Sequence, residues 1–212
     1  MDVVVAGGHG QIALHLLRLM AERGDRPRGL IRNPDHAPDL EAIGAKAVIC
    51  DMEAEDDLSP AIGGADAVVF AAGAGPGSGP ERKRTVDLGA AVKLIEAARN
   101  TGASRYVMVS SVGAEDPTAG PEGMRPYLEA KAEGDRALAA SGLDFTICRP
   151  GPLTDDPGRG TVTATADAIR AAVARDDVAA TLAAVLIAPN TVGKTFYLAA
   201  GEVPIEQAVR GL

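Results

Sequence analysis

Aromatic residues make up only 3% of the 212-residue chain, and tryptophan is absent. An interior without large rings must be filled by Ala, Val, Leu and Ile, and an apolar content of 46% suffices for a sizeable core. Small and β-branched residues in short runs suit an open parallel sheet under helices. An excess of basic charge is also missing. The net charge of −8 argues against a general nucleic-acid binder, whose affinity rests on a basic face. It leaves an anionic small molecule open, because local arginines and helix termini decide that. Cysteine is scarce: Cys50 and Cys148 each end an apolar run and lack metal-ligand spacing, so no metal site is expected. No secretory segment is visible, and a reducing, cytoplasmic setting is the expectation. No run of about 18 apolar residues exists, which excludes a helical membrane span. Nor is there a G-x-x-x-x-G-K-[ST] motif, an internal repeat or a low-complexity tract; the Gly/Pro-rich stretch Gly73–Pro80 is short. The length predicts one domain, with a core over residues 1–150 and a tail over 151–212 that roofs a substrate cleft. A monomer or a homodimer fits equally.

The informative part of the chain is its start. Val3, Val4 and Val5 read as a buried strand. Gly7, Gly8 and Gly10 read as a tight loop, because only residues without a Cβ accept positive φ cheaply. From Gln11 to about Arg23, Ile12, Leu16, Leu19 and Met20 recur at helical spacing. A glycine loop at a helix N-terminus gathers free N–H groups and the positive end of the helix dipole, which suits a phosphate. The spacing reads in two registers. Gly8, Gly10 and Ala13 fit G-x-G-x-x-A, and Gly7, Gly10 and Ala13 fit G-x-x-G-x-x-A. Both are dinucleotide fingerprints when they join a strand to a helix.

Arg28 to Ile31 predicts a second strand, ending in Arg32, Asn33 and Pro34. NAD binders usually place an acidic residue here, on the ribose 2′-OH. An arginine stands here instead, and no carboxylate competes within Leu30–Asn33. A guanidinium holds a 2′-phosphate bidentately, so NADP(H) is predicted over NAD(H); the alternative is a solvated arginine. His36 either approaches that phosphate or is exposed. Further elements alternate: a helix over Ala37–Gly44, a strand over Ala45–Cys50, a helix over Asp56–Ile62, and a strand over Asp66–Ala71. Asp51 either faces an adenine amino group or caps a turn. Ala71, Ala72 and Gly73 leave room for a ligand at a strand's C-terminal end.

A helix over Arg84–Asn100 follows, with Asp87 as a first-turn acid or a polar lining of the site. Then come a strand over Tyr106–Val109 ending in Ser110 and Ser111, a helix from about Tyr127 to Ser141, and a strand over Phe145–Cys148. Strand and helix alternate with short connections, the pattern of a doubly wound parallel α/β sheet of Rossmann type with helices on both faces. In the tail, Thr161–Ala164 and Thr195–Leu198 predict strands, Asp176 an N-cap opening a helix to about Ala188, and Ile205–Leu212 a last helix.

Tyr127 and Lys131 lie four apart on a predicted helix and share a face. An adjacent ammonium favours the phenolate and makes the tyrosine a better proton donor and acceptor. A serine at the end of the preceding strand can bond the same reacting oxygen. Such a set reduces a carbonyl: hydride comes from a nicotinamide and the proton from the tyrosine. Each residue also has a plain reading, Tyr127 as a half-buried helix tyrosine and Lys131 as a solvated one.

In the stretches VVVAGGHGQI (3–12), IRNP (31–34), DAVVFAAG (66–73), VMVSS (107–111), YLEAK (127–131) and DFTICRPGPL (144–153), the chain resembles the short-chain dehydrogenase/reductase superfamily. It is most similar to the atypical, NmrA-like branch of small NAD(P)H-binding, epimerase-like proteins. The resemblance implies NADP(H) held by the first loop (Gly7, His9, Gly10, Gln11 and Ile12), by Arg32, Asp51 and Met52, and by the Ala71, Ala72 and Gly73 edge. It extends that set to Ser110, Lys131 and the Pro150 to Leu153 loop. It also implies Ser111, Tyr127 and Lys131 as the catalytic set. Two positions depart from the pattern: His9 replaces a small residue between the glycines, and Ala13 replaces the last glycine. Three functions follow from the resemblance: a reductase of a small carbonyl, quinone or flavin-like acceptor, a redox sensor that binds NADP(H) without turnover, and a sugar-nucleotide epimerase. The last normally needs a larger substrate domain than the roughly 60 residues after Pro150.

Overall fold

The protein is described by a computed structural model that covers residues 1–75 and 77–212; Pro76, in the Gly73–Pro80 stretch, lies outside the described residues. Six parallel strands form its centre: β1 (Asp2–Ala6), β2 (Arg26–Ile31), β3 (Lys46–Ile49), β4 (Ala67–Phe70), β5 (Arg105–Val109) and β6 (Asp144–Pro150). The tail adds β7 (Leu153–Thr154), β8 (Thr161–Thr165), β9 (Val173–Ala174), β10 (Lys194–Ala200) and β11 (Val203–Pro204). The large sheet runs β11-β8-β10-β6-β5-β4-β1-β2-β3, with β8 antiparallel to both its neighbours; β7 and β9 pair separately. The chain is thus an α/β protein with a mostly parallel, doubly wound sheet.

Strand residues alternate between two apolar layers, as the pleat requires. Val3, Val5, Val69, Val107 and Val109 face one layer, under α1 (Gln11–Glu22), α7 (Arg175–Leu186) and α8 (Ile205–Arg210). Val4, Val68, Phe70, Tyr106 and Met108 face the other, under α3 (Ser59–Ile62), α5 (Ala91–Thr101) and α6 (Arg125–Ala139). Helices on both faces explain why the central strands read as unbroken apolar runs. The remaining helices are α2 (Ala37–Ala42) and α4 (Pro80–Arg82).

The predicted elements are present, with three shifts that have local causes. The fourth predicted helix starts at Pro80, whose fixed φ suits a first helical position, and runs unbroken to Thr101 through a widened π segment, Lys83–Ala90. The helix expected from Asp56 begins only at Ser59, because the Asp57 carboxylate accepts the Ser59 N–H at 2.9 Å and forms a turn. Asp176 is not an N-cap: α7 begins at Arg175, and Asp176 sits in its first turn. There it accepts the Gly158 N–H at 3.2 Å and approaches His15 Nδ1 at 2.7 Å, while Asp177 accepts the Arg159 and Gly160 N–H groups. The two acids fasten the glycine-rich loop after β7 to α7.

The strand order 3-2-1-4-5-6 reverses direction between β1 and β4. Open α/β sheets bind ligands at the C-terminal ends of such a pair.

Candidate functional site

At that switch point each glycine of the first loop has its own task. Gly7 has φ +78°, and a Cβ there would lie 2.7 Å from the Ala72 Cα at the end of β4. A Cβ on Gly8 would lie 2.8 Å from the Gly29 Cα in β2. Gly10 is the N-cap of α1 and donates its N–H to the Gly7 carbonyl at 2.8 Å. Ala13 is fully buried where α1 meets the sheet. Both registers of the fingerprint therefore describe one loop. Gly7 turns it, Gly8 lets it lie against β2, and Gly10 opens the helix. No side chain caps α1 and no acid stands in its first turn, so the N–H groups there carry no side-chain partner. Such a terminus favours an anion.

The loop forms one wall of a cleft of about 330 Å³. Of the residues predicted to hold a cofactor, Gly7, His9, Gly10, Arg32, Asp51, Met52, Ala71, Ala72 and Gly73 line it. Gln11 is exposed, and the Ile12 side chain packs into the core. Ser110, Ser111, Tyr127, Lys131, Pro150 and Leu153 are not on its wall.

Polar contacts around the cleft sharpen several open readings. Asp51 Oδ1 accepts the N–H groups of Glu53 (3.0 Å) and Ala54 (3.4 Å), the turn-forming role. That turn carries Glu53 into the cleft. Its Oε2 lies 3.2 Å from Arg32 Nη1 and 3.3 Å from Arg82 Nη2, and Thr85 Oγ1 donates to its Oε1 at 2.7 Å. Arg32 thus has a carboxylate partner after all, from a loop 21 residues away in sequence. The ring of His9 stacks on that of His36 with centroids 3.7 Å apart, and Asp39 Oδ2 lies 2.8 Å from His9 Nε2. Both histidines therefore sit on the cleft rim. The Cys50 thiol also lines the cleft, but burial, with help from Glu55 and Asp51, pushes its pKa up to about 12, so it stays protonated and inert.

Beyond Ala72 lies α6, which carries Tyr127 and Lys131. Lys131 is buried, with its Nζ near three acceptors: the Val109 carbonyl at 3.2 Å, the Ala72 carbonyl at 3.4 Å and Asp87 Oδ1 at 3.3 Å. Its charge also lies 5.8 Å from the centroid of the Tyr127 ring and 5.4 Å from that of Phe70. The four-residue spacing thus brings tyrosine and lysine together, and the solvated-surface reading of Lys131 fails. Asp87, in the π segment, is fully buried, and its Oδ2 accepts the Ala74 N–H at 3.2 Å. It stands in neither of its two expected places: it lies past the first turn of the segment and off the cleft wall, paired with Lys131. Lys83 Nζ approaches the Tyr127 ring at 5.3 Å, giving the tyrosine two cationic neighbours.

The two serines part company. Ser110 is buried and donates its hydroxyl to Asp135 Oδ2 at 2.9 Å; Arg149 donates to the same oxygen at 2.9 and 3.0 Å and to the Tyr197 hydroxyl at 2.9 Å. Burial raises the Asp135 carboxyl above its ordinary range, although Arg149 and Ser110 pull it down. Ser111 is half-buried, and its hydroxyl donates to the Val112 carbonyl at 3.0 Å rather than to Tyr127. Sequence reasoning missed Glu53, Arg82 and the Asp135–Arg149 pair. The acidic turn directly after β3 was the available signal for Glu53; nothing local marked the others.

Comparison with known proteins places this arrangement. A family described as NAD(P)H-binding matches residues 7–189. The chain is 40% identical over 214 residues to the Bacillus subtilis uncharacterized sugar epimerase YhfK, with 100% of both chains covered. It superimposes with a TM-score of 0.96, at 40% identity and full coverage of both chains, on a Bacillus halodurans protein provisionally named an NAD-dependent epimerase/dehydratase. A Lactococcus lactis oxidoreductase, ylbE, follows at 25% identity and a TM-score of 0.90, with 100% of this chain and 96% of that one covered. Among the described residues no helix is long and apolar enough to cross a membrane. The glycine loop, the cleft at the switch point and the matched length lead to one conclusion: the chain belongs to the NAD(P)H-binding family of Rossmann-type, short-chain-dehydrogenase-like proteins.

Proposed function

We propose that the protein is an NADP(H)-dependent reductase of a small carbonyl, quinone or flavin-like acceptor. The observation that carries this reading is the junction at Ala72. Ala72 lines the cleft, and its carbonyl oxygen accepts from Lys131 Nζ. The nucleotide cleft and the Tyr127–Lys131 face therefore meet at one residue. The cleft also fits the cofactor: glycines at 7 and 8 lie where any Cβ would strike neighbouring backbone, and Arg32 supplies a guanidinium at the end of β2.

A dihydronicotinamide, when bound, supplies the hydride. The chain's own residues supply the rest. Tyr127 delivers the proton to the acceptor oxygen, with the Lys131 and Lys83 ammonium groups beside its ring. Ser111 turns its hydroxyl from the Val112 carbonyl to the same oxygen. Lys131 holds its position through the Ala72 and Val109 carbonyls and the Asp87 carboxylate.

One observation favours a second reading, a sensor that binds NADP(H) without turnover. Asp87 lies against Lys131 and offsets the positive charge beside the Tyr127 ring. A panel of aldehyde, quinone and flavin acceptors, with NADPH or NADH as donor, separates the two. The reductase reading expects NADPH consumption with at least one acceptor, faster than with NADH, and about a tenfold loss of that preference in Arg32→Ala. Tight NADPH binding with no consumption on any acceptor would leave the sensor. Conversion of a sugar nucleotide without net NADPH consumption would instead point to epimerisation.

A further inference from the structure

We infer that Glu53 is an internal stand-in for the 2′-phosphate, and that its release from Arg32 and Arg82 sets the preference between NADP(H) and NAD(H). The inference rests on the cofactor reading above. Two guanidinium groups from separate elements converge on one oxygen, Glu53 Oε2, at 3.2 and 3.3 Å. All three residues line the cleft. Paired arginines around one anionic oxygen form a phosphate-binding arrangement, and here a carboxylate fills it. The second carboxylate oxygen accepts from Thr85 at 2.7 Å.

The backbone under Glu53 is fastened independently. Lys93 Nζ donates to the Glu53 carbonyl at 3.1 Å, and Asp51 Oδ1 accepts the Glu53 N–H. The side chain can therefore leave the arginines by rotation alone, with the loop in place. A ligand carrying a 2′-phosphate must displace it, whereas one with a free 2′-OH need not. Glu53 thus penalises NADP(H) selectively, and Arg82, from α4, is a second specificity-determining residue.

The test uses 2′,5′-ADP and 5′-AMP, which differ only by the 2′-phosphate, with NADPH alongside, titrated calorimetrically into the full-length protein. Glu53→Gln should tighten 2′,5′-ADP and NADPH by about three- to tenfold and leave 5′-AMP unchanged, because a competent site is no longer self-occupied. Arg82→Ala should weaken 2′,5′-ADP about tenfold with 5′-AMP again unchanged. Weaker 2′,5′-ADP binding in Glu53→Gln would make Glu53 a support for the arginines and overturn the inference. So would equal shifts for the two nucleotides, or no shift. Wild-type protein that binds NADPH and yet shows any of these results sinks only the role of Glu53. Wild-type protein that does not bind NADPH sinks the cofactor reading itself.

Discussion

Two neighbouring regions of the molecule hold their ligands-to-be in opposite ways. The cleft beside β1 and β2 is built from backbone: glycines without side chains, bare N–H groups and exposed arginines. The region around α6, beside β5 and β6, is built from buried charge: Lys131 on Asp87, and Arg149 on Asp135. The first region has no room for a side chain at Gly7 or Gly8 but has little charge committed to its interior. The second has charges that stand only because each has its partner. A substitution should therefore act by steric exclusion in the one and by stranding a charge in the other.

The largest effect is expected at the buried pair. Lys131→Met leaves the Asp87 carboxylate in the interior without its cation and should cost about 3–5 kcal/mol in urea unfolding. The double variant Lys131→Met/Asp87→Leu should recover most of that loss. A single variant as stable as the wild type would place Asp87 in contact with water and erase the contrast. A smaller effect is expected in the glycine loop. Gly8→Ala forces a Cβ to 2.8 Å from the Gly29 backbone and should cost about 1–3 kcal/mol, together with nucleotide binding. Gly10→Ala, whose Cβ would come no nearer to any other group than 3.1 Å, to the Gly7 carbonyl, should cost less. Equal losses at the two positions would show that the loop shifts as a unit, and that close approach to β2 is not what Gly8 provides.

The same contrast governs what the sequence alone revealed. The strands were legible because both their faces are covered, so that Val3–Val5 and Val107–Val109 read as unbroken apolar runs. The glycine loop was legible because its job is local: a turn, a close approach and a helix start within four residues. Tyr127 and Lys131 were legible because helical spacing is a local rule too. Glu53 was not, since its reach to Arg32 depends on how a turn after β3 folds beside β2. Asp87 had two readings, because its burial depends on the π segment and on Lys131 arriving from another helix. Ser110 and Ser111 were indistinguishable by type. Alternation along β5 separates them: Tyr106 and Met108 face α6, and Ser110, next in that series, meets Asp135 there.

The proposed function holds that the cleft and α6 act together, with Tyr127 delivering the proton. Single-turnover reduction of a carbonyl acceptor by bound NADPH tests it most directly, with wild type set against Tyr127→Phe. The account expects NADPH affinity to be unchanged and the reduction to slow by about 10²–10⁴-fold. Equal rates in the two proteins would contradict it.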